Sequence, residues 1–161
     1  EQLPAVIETV VAVLLARGLL RRSPLSERLV APEPVGREFA ELRCLGETVR
    51  PLLERHFLTL ALLHRQGSGQ ITRQALETDC QQLAQRLSLL YEFNTAEYPD
   101  KTTFSAFIGS LIDAEILHQD ADGRLHFDER LTTPLTHVEL VLPTEARQAV
   151  RRMTRAASIR S

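Results

Sequence analysis

A chain of 161 residues has room for one sizeable core or two small ones. Hydrophobic residues at 43%, charged residues at 25% and a net charge of −2 are ordinary for a globular domain, whether free-standing or docked on a larger neighbour. Aromatics at only 5%, with no tryptophan, argue against an aromatic belt at a membrane interface and against a base-stacking nucleic-acid surface.

In the first segment Leu3, Ile7, Val10, Val11, Leu14 and Leu15 recur at helical spacing, and Gly18 is placed to end the helix. The most apolar window, 3–20, is broken by Pro4, Glu8, Thr9, Arg17 and Gly18, so its longest apolar run is far below the ~18–20 residues that span a bilayer. An acidic start without a basic n-region, and no small-x-small cleavage site, rule out a signal peptide. Leu19 and Leu20 begin a short extended piece. The connector 23–34 holds Pro24, Pro32 and Pro34, which predicts a loop or a wing with Glu33 extended.

The pattern predicts a second helix over 36–63, with Phe39, Leu42, Leu45, Val49, Leu52, Leu53, Phe57, Leu60 and Leu63 on its apolar positions. Pro51 is expected to split or kink it, and Gly67-Ser68-Gly69 to end it. That glycine pair is a turn rather than a phosphate loop, because no Lys-Ser or Lys-Thr follows. Thr72 is a suitable N-cap for a third helix lined by Leu76, Cys80, Leu83, Leu87 and Leu90. Cys44 and Cys80 have no paired spacing and read as two small buried hydrophobes in a reducing compartment, not as a disulfide.

A fourth helix is predicted from Pro99-Asp100 to Glu115, with Phe104, Phe107, Ile108, Leu111 and Ile112 as its apolar face. Residues 116–127 then read as a β-hairpin turning at Asp122-Gly123. A helix running into a hairpin is the end of a winged helix, and the first segment repeats that order more loosely, which suggests two helix-plus-wing units. A DNA reader should carry a basic stripe, yet helix 72–91 sets Arg73 and Arg86 against Glu77 and Asp79. Basic residues concentrate instead in the tail, where Arg147, Arg151, Arg152, Arg155 and Arg160 come after Glu145. There Ala149, Met153 and Ala157 make a thin apolar stripe. His118 and His126 face each other if the hairpin loop has three residues, but two imidazoles without a third ligand do not make a zinc site; His56 and His64 read as boundary residues.

The stretch 84–104, AQRLSLLYEFNTAEYPDKTTF, joins the end of one helix to the start of the next. Its Asn94, Ala96-Glu97 and Asp100-Lys101 three residues before Phe104 resemble the C-terminal region of the membrane-bound bacterial glycerol-3-phosphate acyltransferases. The resemblance extends to Leu3-Pro4, Ile7 and Gly18-Leu19, to 49–63, and to Leu140-Val141-Leu142. It departs at Tyr91-Glu92-Phe93, where the family has a His-Gly-type pair and small residues, and at Glu115, where the family has glycine. The family is implied to keep the Asp100-Lys101 pair. Its physical reading is a helix cap by Asp100, with Lys101 solvated or paired to Glu97; its functional reading is a seam with a catalytic domain.

That family acts through a His followed five positions later by Asp. Five positions beyond His56, His64, His118, His126 and His137 stand Ala61, Gly69, Gly123, Leu131 and Leu142, and no Phe-Pro-Glu-Gly-type segment is present. With Glu1 in place of an initiator Met, the chain reads as a fragment without the catalytic domain. The expectation is therefore a mainly α fold, a helical C-terminal region with one or two short β-hairpins that could form winged-helix-like units. Its parts would be a helix, wing and Pro-rich connector over 1–35, a helical region over 36–143 with a hairpin near 116–128, and a basic helical or disordered tail over 144–161. No catalytic, cofactor-binding or metal-binding residue is expected, and the fragment should be inactive by itself. The resemblance implies as partners the catalytic domain of the parent chain, the cytoplasmic face of the inner membrane, and acyl carrier protein or acyl-coenzyme A as donor. Nucleic acid is not among them. A free-standing tandem winged-helix module binding DNA or protein is the alternative.

Overall fold

The computed structural model describes the backbone of residues 2–91 and 100–157, and the side chains of 5–89 and 100–154. The fold is mainly helical, with two small antiparallel hairpins. Contacts divide the chain into two compact units, 1–49 and 50–161.

In the first unit, α1 (Gln2–Ala16) runs into a hairpin of β1 (Arg21–Arg22) and β2 (Leu29–Val30). Gly18 ends the helix with φ +71°, and the amides of Gly18 and Leu19 return to the carbonyls of Leu15 and Leu14. A left-handed residue just past a helix satisfies two terminal carbonyls in this way, and glycine adopts that conformation at no steric cost. Leu19 and Pro32 are buried, whereas most of the α1 side chains are exposed.

The long helix α2 (Arg37–Gln66) crosses the division between the units and contains Pro51. Proline was expected to split or kink this helix. The helix is not split, because one missing donor does not interrupt the hydrogen bonds on either side. Its apolar face is also less uniform than its spacing suggests. Leu45, Val49 and Leu52 are exposed, while Phe57, Leu58, Leu60, Leu62 and Leu63 are buried.

The second unit holds the core. Leu76, Cys80, Leu83 and Leu87 of α3 (Arg73–Tyr91) and Phe104, Ile108 and Leu111 of α4 (Lys101–Asp113) pack in one cluster with the C-terminal part of α2. Leu90 and the connector 92–99, with Asn94, Ala96 and Glu97, fall among positions whose side chains lie outside the described residues. The hairpin of β3 (Leu117–Gln119) and β4 (Leu125–Phe127) adds Leu117 and Leu125 to the cluster. A bridge from Thr72 to Arg124, with the Leu125 amide donating to the Ile71 carbonyl at 2.9 Å, supplies a third strand position. The resulting order is a helix, one bridged residue, two helices and a hairpin, which agrees with the winged-helix-like unit expected of this region.

Beyond the hairpin, a turn of 3-10 helix (Glu129–Leu131) leads into α5 (Thr132–Val141), and α6 (Thr144–Ala157) packs against α3. Ala146, Ala149, Val150 and Thr154 are buried at helical spacing, with Met153 half-buried. The stripe on α6 is thus wider than Ala149, Met153 and Ala157, and small residues let the helix approach the core closely. Residues 158–161, including Arg160, lie outside the described residues.

Candidate functional site

The seam between α3 and α4 gathers the polar residues that the sequence singles out. Asp100 caps α4: its carboxylate accepts from the Thr102 amide at 3.0 Å, the Thr102 hydroxyl at 2.5 Å and the Thr103 hydroxyl at 3.2 Å. These hydrogen bonds, the Thr102 hydroxyl first, hold the Asp100 carboxyl below the usual aspartate range. Lys101 points back to α3, with Nζ 3.8 Å from Glu77. Glu77 also accepts from Arg73 Nε at 3.1 Å, and the other end of the Arg73 guanidinium donates to the carbonyl and hydroxyl of Ser105. One carboxylate, only 12% exposed, therefore ties two cations from two helices. From α2, Arg55 reaches Thr103 at 3.4 Å. The expected alternative partner of Lys101, Glu97, is outside the described residues. Asp100 thus performs the capping role expected of it, and Lys101 belongs to a fixed network rather than standing free.

The histidines separate into two environments. His56 stacks on Phe107 with ring centroids 3.8 Å apart, and burial, helped by the neighbouring Arg55 charge, pushes its imidazole down to about 4. It is a neutral packing group at ordinary pH, whereas His64 is exposed. His118 and His126 are directly paired across the hairpin, and Asp120 donates its amide to the Arg124 carbonyl at 3.0 Å, which closes a three-residue loop. The paired imidazoles do not converge on an ion. His126 Nε2 lies 2.8 Å from Asp120 Oδ2, and among the described residues no group of three or more His, Cys, Asp or Glu could hold a metal.

A His–carboxylate contact is the raw material of a general base, so its other edge decides what it can do. That edge lies over Gly69. A Cβ added at Gly69 would sit 2.7 Å from His126 Cε1 and 3.1 Å from Nδ1. Asp120 also accepts from the amides of Asp122 and Arg124 at 3.0 and 2.8 Å. The turn 67–69 is itself clasped to the hairpin, with Ser68 Oγ accepting from Phe127 N and the Gly69 amide donating to Leu125 O. The pair lies within a hairpin that is fastened to this turn.

The arginines of the C-terminal helix are also partly engaged. Arg151 is ion-paired with Glu139 of α5 and Arg147 donates to Thr144, leaving Arg152 exposed on a cleft of about 450 Å³. Arg50, Glu54 and Glu145 line the same cleft, so its charges balance and give no net pull on an anion. Glu54 is buried within 3.6 Å of Arg50. Arg155 and Arg160 have no described side chains. Cys80 is buried, hydrogen-bonded to Thr59 and pushed up to about 12 by burial, which makes it an inert thiol. Cys44 was expected to be buried and is exposed, because the N-terminal part of α2 has little packed against it.

The order of elements also changes which helix should be tested for DNA reading. The helix that enters the hairpin is α4, not α3, and its only charged residues, Lys101 and Asp113, cancel. No basic stripe faces outward there.

Residues 1–120 match the family model described as the glycerol-3-phosphate acyltransferase C-terminal region. Two relatives named glycerol-3-phosphate acyltransferase illustrate the extent of the match. The protein of Pseudomonas putida strain KT2440 is 36% identical over 154 residues, and that of Pseudomonas aeruginosa strain UCBPP-PA14 is 34% identical over 154 residues. In both cases the match covers 95% of this chain and 18% of the relative, so the chain spans less than a fifth of the length of the curated relatives it matches. No solved structure matches.

Proposed function

Because this chain belongs to the family of glycerol-3-phosphate acyltransferase C-terminal regions, we propose that it is the non-catalytic support of such an enzyme. The complete enzyme would move a fatty acyl group from acyl carrier protein or acyl-coenzyme A to the sn-1 hydroxyl of glycerol-3-phosphate. That reaction opens phospholipid biosynthesis, and its place would be the cytoplasmic side of the inner membrane. The observation that carries this reading is that 95% of this chain matches a stretch of proteins named for the reaction.

The chemistry assigned to the rest of the enzyme follows from what this region lacks. Acyl transfer to an alcohol needs a base within reach of the hydroxyl proton. No His here is followed five positions later by Asp, and the His126–Asp120 contact lies within one hairpin. This region then works by packing on a catalytic domain, with the Asp100–Lys101–Glu77 network keeping α3 and α4 in one arrangement. No described helix is long and apolar enough to cross a membrane, so attachment would come from surface contact or from another part of the enzyme.

The test is acyl transfer with glycerol-3-phosphate and acyl-coenzyme A, run on the full-length enzyme beside the same protein truncated before Glu1. Activity in the first and its loss in the second, or loss of membrane recovery, is the expected result. No transfer by the full-length protein overturns the assignment of activity, and full activity after truncation overturns the supporting role.

A further inference from the structure

The first helix is the least satisfied element of the molecule. Val6, Ile7, Val10 and Val13 of α1 are 56%, 54%, 51% and 51% exposed. At ~3.6 residues per turn these positions and Val11, Leu14 and Leu15 cover more than half of the circumference, and alanines 5, 12 and 16 occupy most of the remainder. Between Ala5 and Ala16 the polar side chains are Glu8 and Thr9, and the Thr9 hydroxyl is already bonded to the Ala5 carbonyl at 2.8 Å.

A helix that is apolar nearly all round belongs inside a large protein or across a bilayer. A span calls for ~20 nearly uninterrupted apolar residues, whereas Glu8 and Thr9 interrupt this stretch, Arg17 and Gly18 close it, and no described helix is long and apolar enough to cross a membrane. Lying on a lipid surface calls for a different distribution, an apolar face opposite a polar one rich in Lys and Arg. α1 has no Lys or Arg at all. Of the four arginines at 17, 21, 22 and 28, Arg17 is paired with Glu41 at 3.6 Å and Arg22 with Glu27 at 3.2 Å, and all four lie beyond the helix rather than along a polar face of it. The relatives, meanwhile, carry more than four-fifths of their length outside the matched stretch.

We propose that α1 is a core helix of the complete enzyme, sunk in an apolar groove formed by the part of the polypeptide outside these 161 residues. This rests on the reading of the chain as one region of a longer acyltransferase, and it names the surface through which the region docks. Such a helix fixes the relative placement of the two parts more firmly than a polar interface, because its aliphatic side chains cannot be left in water without cost.

The experiment places a photo-reactive benzophenone side chain in the full-length enzyme by Val10→p-benzoylphenylalanine, with Ile7 and Val13 as second and third carriers if the first variant expresses poorly. The control is the same group at Leu25, which is 95% exposed. Irradiation in isolated membranes, followed by mass-spectrometric mapping, should give several-fold more adduct from position 10 than from position 25, on residues of the same polypeptide outside this region. Adducts to lipid, to a second polypeptide or to residues within the 161 overturn the proposal, as does a yield no higher than the control. Acyl transfer measured on the same sample before irradiation separates the two readings. Absent transfer with the expected adduct removes the activity and leaves the docking, and normal transfer with lipid adducts does the reverse.

Discussion

The molecule builds a helix-then-hairpin unit twice, and the two copies end their helices with the same hydrogen bonds. After α1, Gly18 is left-handed and the amides of Gly18 and Leu19 return to Leu15 and Leu14. After α4, Glu115 is left-handed with φ 57°, and the amides of Glu115 and Ile116 return to Ile112 and Leu111. Each helix then leads into a two-stranded antiparallel hairpin. The difference lies in what covers the helix. Phe104, Ile108 and Leu111 of α4 are buried to within 4% of complete, while the valines of α1 are half-exposed. The turn and cap are local devices that form from a few residues. Whether the helix before them joins a core depends on neighbours, and α1 has few among the described residues.

The largest test of that contrast is truncation of one apolar side chain in each copy. Phe104→Ala should lower unfolding stability by about 3–5 kcal/mol, as expected for emptying a buried aromatic site. Val10→Ala, at a position 51% exposed, should stay within about 0.5 kcal/mol in this chain. Urea midpoints measure both. Equal costs would mean that α1 is packed in solution and that the contrast is wrong; a Val10→Ala cost that rises only in the full-length enzyme would place its partner there.

A second test uses the imidazole that joins α2 to α4, a contact the first unit does not have. His56 titrates ordinarily at 6.5 when exposed and at about 4 in its stack on Phe107. Between those values the unfolded chain binds a proton that the folded chain refuses, so stability rises with pH across the window. It should be level above 6.5 and fall as pH drops from 6.5 toward about 4. His56→Leu should flatten that part of the profile in thermal unfolding followed by circular dichroism. A slope unchanged by the substitution would assign it to other groups.

Much of this was legible in the sequence, for reasons that can be traced to residues. Regular apolar spacing revealed α3 and α4, and the residues it picked, Leu76, Cys80, Leu83, Leu87, Phe104, Ile108 and Leu111, are those in the core. Thr72 and Asp100 were recognisable as caps because a side-chain oxygen before a helix has one common use, and both accept from amides of the first turn. The hairpin itself was legible from its turn residues, while the pairing of His118 with His126 depended on a loop of three residues, which is the one observed. α5 escaped notice because Thr132, Thr133 and Pro134 are poor helix formers, although proline is tolerated in a first turn. The embedded face of α6 was underestimated since Ala146, Ala149 and Thr154 are small and carry little hydropathy, yet all three are buried. The His126–Asp120 clasp over Gly69 has no signature at all, because it joins residues brought together only by folding. Nor could spacing say that α1 and the start of α2 would remain uncovered.

The smallest and sharpest test exchanges the residues that end the two helices. Non-glycine residues are strained in a left-handed conformation, and Glu115 holds one at φ 57°. The hairpin nevertheless follows Glu115 in the arrangement that Gly18 supports, so the hydrogen bonds of the turn and the burial of Leu111 and Leu117 outweigh the strain. Glu115→Gly should then stabilise the second unit by about 1 kcal/mol or less, since relief of strain is offset by the greater freedom of an unfolded glycine. Gly18→Ala should cost about 1 kcal/mol through backbone strain alone. A Cβ there would meet only Glu38 Cγ, at an ordinary 3.7 Å. Urea unfolding of the two variants reads both effects. Opposite signs would establish that the same turn is built twice, with ideal chemistry in the uncovered copy and strained chemistry in the packed one. A loss of stability in Glu115→Gly would mean that the Glu115 side chain contributes more than its backbone costs.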